Sequence, residues 1–347
     1  MNHKPILAIT MGDPGGIGPE VILKTFKHFP PDGSFYPLLI GSQAVFEFAS
    51  ERFSTSLRTN PIPTPDRSLL RDDSINVLDI SDEADLLYEK IAKQKRKPSD
   101  IFDIGKVSLL NGTLAFVAMK VAAFQGACGL IDGLVTAPLN KEAVQWVEPG
   151  FAGHTEYLAK IAKAKEFAMF FYSEYFCVTL VTIHVSLKKV PALLTREAIV
   201  SKIKLTDRFL KQSLGISKPK IAVTALNPHG REFGTEEEGV ILPAVLEAKK
   251  AGLHVEGPLP GDQVFHDAYQ KRFDAVVAMY HDQGLAPFKM LAFETGVNVT
   301  LGLPYLRTSP DHGTAFNIAY QDKADPTSFL QSFTFALRIA KHLGVRK

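Results

Sequence analysis

The 347-residue chain is poor in cysteine and has no surplus of charge of either sign. Two cysteines, Cys128 and Cys177, stand far apart in apolar sequence; this argues against a disulfide scaffold and predicts buried free thiols in a reducing compartment. Lys and Arg number 39 against 37 Asp and Glu, so the net charge of +2 gives no electrostatic case for nucleic acid or an anionic membrane. Basic residues cluster only at Lys93, Lys95, Arg96 and Lys97, ahead of Pro98, where cations suit a helix C-terminus. No apolar run approaches the ~20 residues that span a bilayer, and no signal-peptide pattern precedes the Gly/Pro turn after Thr10. A cytoplasmic protein with no membrane or nucleic-acid partner is expected.

Hydrophobic content of 46% over this length predicts two domains. Strand-like runs at 6–10, 36–40, 76–79, 133–136, 177–183, 220–226, 275–279 and 297–301 alternate with amphipathic segments such as 107–125, 195–213 and 239–251. That rhythm predicts an α/β fold with parallel sheet and helices on its faces. Residues 60–74, with three prolines, read as a surface loop. A buried strand ending in TAPLNK suggests a discontinuous first domain, 1–137 plus 304–347, and a second over 138–303.

Three strand-like runs each end at a histidine. CVTLVTIHVS carries His184, KIAVTALNPHGRE carries His229, and FDAVVAMYHDQG carries His281. Carboxyl ends of parallel strands share one edge, and open α/β proteins bind ligands there. A lone histidine in such a place is more often a hydrogen-bonded structural residue. Three in the same topological position point to a divalent metal, with imidazole donors favouring zinc and its neighbours over magnesium. Asp282 follows His281 and could orient an imidazole. His3, His28, His254 and His342 sit in plain polar settings, and His266 beside Asp262 is a weaker candidate.

Other motifs suit anionic ligands. MGDPGGIGPE, with Gly12 and Asp13, follows the first strand; it is either an anion-binding loop or a tight structural turn, and it lacks the GxGxxG dinucleotide spacing. AGHTEYLAK offers His154 and Thr155 at a helix start, although Thr155 could serve only as an N-cap. Lys289, Asn298 and Arg307 could neutralise or hydrogen-bond a phosphate or carboxylate. The short polar segment DHGTA, with His312, Gly313 and Thr314, could contact a nucleotide.

Together MGDPGGIGPE, TAPLNK, GHTEYLA, LNPHGRE, YHDQGLAPFK and GLPYLRTSPDHGTA resemble the 4-hydroxythreonine-4-phosphate dehydrogenase (PdxA) family of vitamin B6 biosynthesis, in the family's motif order. The resemblance implies a two-domain isocitrate/isopropylmalate dehydrogenase-like fold with an active-site cleft between domains, and a homodimer. It implies His184, His229 and His281 as metal ligands, with His281 expected from the neighbouring subunit. It implies His154, Thr155, Lys289, Asn298 and Arg307 as substrate-binding residues. DHGTA resembles the adenosine-binding segment, so NAD or NADP is expected with a divalent metal, zinc first and Mg2+ or Co2+ as alternatives. Asp282 or Asp262 would support proton removal. The implied reaction oxidises 4-(phosphooxy)-L-threonine to 2-amino-3-oxo-4-(phosphooxy)butanoate, which decarboxylates to 3-amino-2-oxopropyl phosphate on the way to pyridoxal 5'-phosphate. The alternative on the same scaffold is a D-threonate or D-erythronate 4-phosphate dehydrogenase. A metal-dependent hydrolase or aldolase, and a non-catalytic phosphometabolite binder, account for fewer of the motifs.

Overall fold

The computed structural model describes residues 4–55, 57–95 and 100–344. His3, Arg96, Lys97 and Pro98 lie outside them. In chain order the elements are β1 (Ile6–Thr10), α1 (Gly18–His28), β2 (Tyr36–Gly41), α2 (Gln43–Arg52), β3 (Thr59–Ile62), β4 (Ile75–Asp79), α3 (Ser81–Ala92), α4 (Leu109–Ala127), β5 (Gly133–Thr136), α5 (Lys141–Val147) and α6 (His154–Ile161). There follow β6 (Ala168–Tyr172), β7 (Cys177–Leu180), α7 (Val190–Leu193), α8 (Arg196–Gln212), β8 (Lys220–Thr224), α9 (Leu242–Lys250), β9 (His254–Leu259), α10 (Gly261–Tyr269), β10 (Ala275–Ala278), α11 (His281–Ala292), β11 (Val297–Leu301), β12 (Leu306–Ser309) and α12 (Thr327–Gly344).

The chain divides into two compact units, Met1–Ala164 with Leu303–Lys347, and Lys165–Gly302. The first crossing falls after α6, not at residue 137. The reason is packing: α5 and α6 both lie against α4, so the chain beyond TAPLNK stays with the first unit.

The first unit carries six parallel strands in the order β3-β4-β2-β1-β5-β12. Helix α4 packs on β1, β2 and β5, and α12 packs on β12, β5 and β1. Phe333 of α12 meets Phe26 of α1 edge-on at 5.6 Å, with Phe29 and Phe35 completing the aromatic group. Contrary to the sequence expectation, α4 is by length and composition apolar enough to cross a bilayer, yet 72% of that window is buried within the protein. Its apolarity serves the core. Cys128 caps the end of α4 and is exposed, which corrects the expectation of two buried thiols; Cys177, inside β7, is buried.

The second unit has the order β11-β6-β7-β10-β8-β9. Strands β7, β10, β8 and β9 are parallel, whereas β6 runs antiparallel to both of its neighbours. Side-chain alternation sorts its faces. Phe171, Val178 and Val276 join the core beneath α10 and α11 with Phe265, Leu285 and Phe288. Phe170 and Thr179 meet α8 instead, through a Phe170–Phe209 ring contact at 4.9 Å and a Thr179–Thr206 hydroxyl pair at 2.6 Å.

Four strands escaped the sequence reading. β3 (TNPI) contains Pro61 and occupies an edge, where proline is tolerated, so residues 60–74 are not wholly loop. β9 is also an edge, half-exposed and punctuated by Gly257 and Pro258. β12 (LRTS) looks polar but all four residues are buried. β6 (AMFFY) is short and its pairing is antiparallel, outside the βαβ rhythm.

Candidate active site

The histidine edge of the second unit is built by three adjacent strands, β7, β10 and β8, whose carboxyl ends are tied together. Val181 N–H donates to Ala278 O at 2.9 Å, and the Thr182 hydroxyl donates to Met279 O at 2.8 Å. Gln283 accepts from Met279 N–H and from the Thr224 hydroxyl, both at 2.8 Å, and donates to Ala225 O at 2.7 Å. Helix α11 starts at His281, directly after β10 and its cap Tyr280. Gly284 lets that helix lie on β7: a Cβ there would sit 2.6 Å from Leu180 Cδ2. Sequence reasoning overlooked Gln283, although it lies within YHDQG.

This scaffold brings His184 and His281 together, with ring centroids 5.9 Å apart and planes inclined at 46°. They line a cavity of about 230 Å³ with Ile183, Val185, Leu187, Val190, Tyr280 and Asp282. Asp282 Oδ1 lies 2.7 Å from His281 Nδ1, which leaves Nε2 as the nitrogen available to a metal. Two imidazoles bound tetrahedrally at ~2.1 Å would have centroids about 5 Å apart, so the observed spacing suits a shared ion.

His229 is not part of this pair. It follows β8 in a left-handed conformation (φ 55°), as does Gly230 (φ 76°). Its Nδ1 lies 3.1 Å from Glu232 Oε2, its ring contacts Phe233, and its side chain is 62% exposed. Among the described residues no three His, Cys, Asp or Glu side chains gather closely enough to hold a metal. The histidines thus occupy neighbouring strand ends, but within one chain the close pair is His184–His281, not the expected His184–His229. Residues 227–230 carry the chain through Pro228 and two positive-φ positions, a geometry that strand periodicity does not encode. Asp262 and His266 belong to a separate helix, α10.

A second cluster lies in the first unit. Arg307 in β12 is 3% exposed and donates from Nε and Nη2 to the Thr136 hydroxyl at 3.2 and 2.6 Å. Burial pushes its pKa down to about 10, with Tyr305 and Glu156 opposing. His154 opens α6; burial, then the charges of Arg307 and Lys141, hold its imidazole well below the usual range, so it is neutral. His154 Nε2 is buried without a hydrogen-bond partner among the described residues. A Cβ on Gly153, the N-cap of α6, would lie 3.6 Å from Lys141 Nζ. Thr155 is buried inside the helix and is not its cap. A guanidinium, an ammonium and a neutral imidazole together suit an anionic group that also has a polar neighbour. Lys141 was not singled out in the sequence, although it lies within TAPLNK.

In the second unit, Lys289 on α11 stacks its ammonium 5.8 Å from the Phe293 ring, and Asn298 Oδ1 in β11 is buried and unpartnered among the described residues. The glycine loop is bound into its own unit. Asp13 N–H donates to Pro138 O, Gly15 N–H to Asp13 Oδ1, Gly16 N–H to Asp13 O, and Ile17 N–H to Thr314 O, all at 2.9–3.1 Å. Gly12 adopts φ 72°, where a Cβ would meet Pro138 O at 2.4 Å. With these amides engaged, the structural-turn reading of MGDPGGIGPE gains weight. The loop instead supports the DHGTA segment through Thr314. There His312 Nε2 is buried and unpartnered among the described residues, and a Cβ on Gly313 would meet nothing within 4 Å.

The α/β architecture has close counterparts among solved structures. The chain superposes on the crystal structure of 4-hydroxythreonine-4-phosphate dehydrogenase from Klebsiella pneumoniae with a TM-score of 0.82 and 35% identity, covering 97% of this chain and 100% of that one. The 4-hydroxythreonine-4-phosphate dehydrogenase of Trichlorobacter lovleyi is 39% identical, over 97% of this chain and 98% of the relative. The D-threonate 4-phosphate dehydrogenase of Pectobacterium atrosepticum is 38% identical, over 96% and 99%. Residues 34–336 match the family described as pyridoxal phosphate biosynthetic protein PdxA, and the chain belongs to that family.

Proposed function

We propose that the protein is an NAD-dependent, divalent-metal-dependent dehydrogenase that oxidises 4-(phosphooxy)-L-threonine to 2-amino-3-oxo-4-(phosphooxy)butanoate, the precursor of 3-amino-2-oxopropyl phosphate, acting as a cytoplasmic homodimer. The observation that carries this reading is the His184–His281 pair with Asp282 against His281 Nδ1. When bound, an ion held by His184, His229 and His281 supplies Lewis-acid polarisation of the substrate's secondary alcohol, and NAD+ or NADP+ supplies the hydride acceptor.

The chain's own residues do the rest. Asp282 fixes the tautomer and orientation of His281. Arg307 and Lys289 supply the cations that the substrate's phosphate and carboxylate require, with Asn298 and Thr155 adding hydrogen bonds. His154, held neutral by burial, offers Nε2 to a substrate hydroxyl or amine. His312, Gly313 and Thr314 serve the nucleotide, with Gly12 and Asp13 as their support. His229 stands apart from the other two imidazoles within one chain, which supports a ligand set completed by a second copy.

The runner-up is a D-threonate or D-erythronate 4-phosphate dehydrogenase; relatives named D-threonate 4-phosphate dehydrogenase at nearly equal identity favour it. The two substrates differ by an amine against a hydroxyl at C2. Parallel kcat/KM measurements with zinc-, cobalt- and magnesium-loaded protein decide between them. A preference of at least about tenfold, or 1.4 kcal/mol, for the amino substrate is expected, and the reverse preference overturns the first reading.

A further inference from the structure

We propose that Glu237 is a positioning residue that aims His229 as a metal ligand, acting through the backbone of the LNPHG turn. This inference rests on the proposed role of His229. Glu237 is a fully buried carboxylate. Its Oε1 accepts from Leu226 N–H at 2.9 Å and Asn227 N–H at 2.8 Å, and its Oε2 accepts from the Asn227 side-chain amide at 3.0 Å. Glu236 Oε2 also accepts from Asn227 Nδ2 at 3.0 Å.

These bonds grip Leu226 and Asn227, just past the end of β8, and only Pro228 separates them from His229. A buried carboxylate is costly unless several donors satisfy it, so an anion placed here holds the backbone to one geometry. Beyond the grip, the chain enters the two left-handed residues His229 and Gly230. The imidazole itself stays exposed, with Nδ1 beside Glu232 and its ring against Phe233. The turn thus has a fixed base that presents the ring outward.

The helix bearing Glu237 has an irregularity that fits this role. Residues Glu237–Ile241 form a π-helical turn leading into α9, and Pro243 follows. Proline has no N–H for the i−4 carbonyl, here that of Gly239, and its ring crowds that oxygen. Widening the preceding turn relieves the crowding, and such turns often occur at functional sites. Gly234 completes the grip: a Cβ there would lie 2.4 Å from Asn227 Nδ2.

The test measures metal affinity, with Zn2+ competition and the visible spectrum of the Co2+-loaded protein as readouts. Glu237→Gln sets its new amide against that of Asn227, donor against donor. Metal affinity is expected to fall about 10- to 100-fold, the usual penalty when a ligand's support is removed, and the Co2+ band to shift. Asn227→Ala, which keeps the two backbone donors, is expected to weaken binding to a lesser degree; it carries the test if Glu237→Gln does not fold. The double variant Glu237→Gln/Asn227→Asp, with donor and acceptor exchanged, is expected to recover affinity. Parental affinity and spectrum in a folded Glu237→Gln or Asn227→Ala protein overturn the proposal. His229→Ala is measured beside them. If it binds metal as the parent does, the assignment of His229 itself fails, whereas a loss there with parental binding in the other variants removes only the role of Glu237.

Discussion

Replacing Arg307 with Met should separate function from stability. The guanidinium is 3% exposed, and burial lowers its pKa from 12.5 to about 10. At 1.36 kcal/mol per unit, holding the charge there costs the fold about 3 kcal/mol. The variant removes that cost and also the two hydrogen bonds to the Thr136 hydroxyl, which contribute about 1–3 kcal/mol. These terms nearly cancel, so urea unfolding should give a stability within about 2 kcal/mol of the parent. Loss of a buried cation facing an anionic substrate costs about 2–5 kcal/mol of binding and transition-state stabilisation. Steady-state kinetics should then show kcat/KM down from about 30-fold to several thousand-fold. Stability lost by more than about 4 kcal/mol with kcat/KM within about threefold of the parent would refute the argument and make Arg307 a structural residue.

Two further outcomes test the first unit's interior. Burial raises the Asp13 carboxyl from 3.8 to about 7, against the lowering effect of the Gly15 and Asn140 amides. The folded state therefore holds this proton more tightly than the unfolded one. The associated stability is fully present below about pH 4 and is lost as pH rises through about 7, amounting to about 4 kcal/mol. Asp13→Asn should flatten that part of the urea-unfolding pH profile, and a profile parallel to the parent's contradicts the assignment. Phe333→Ala, which removes a ring packed on Phe26, Phe29 and Phe35, should cost about 3–5 kcal/mol of unfolding free energy with little change in substrate KM. A loss below about 1 kcal/mol would mean that the aromatic group repacks.

The sequence was most legible where local pattern and tertiary role agree. Each of the eight strand-like runs contains a strand, although 177–183 and 220–226 continue past β7 and β8, because most of their residues are apolar and buried within the sheet. Thr195 and Ser213, the bounds read for one helix, are its two caps. Elements governed by their neighbours were not legible. β12 passes for a polar loop because three of its four residues, Arg307 among them, are polar yet buried, and β3 accommodates a proline because it lies at the sheet's edge. At the site, the strand-end position of each histidine could be read from the apolar run before it, but the partition among them could not. It depends on Gly284 allowing α11 against β7 and on the left-handed turn at His229, and both are consequences of packing.

Mixing two inactive proteins, His229→Ala and His281→Ala, tests the central claim most directly. Each variant should lose metal-dependent turnover alone. If each site takes ligands from two chains, with His229 and His281 contributed by different copies, subunit exchange rebuilds one complete set per mixed dimer. NADH formation with 4-(phosphooxy)-L-threonine should then return to a substantial fraction of the parental rate. Verified mixed dimers that remain inactive would contradict the shared, metal-dependent site.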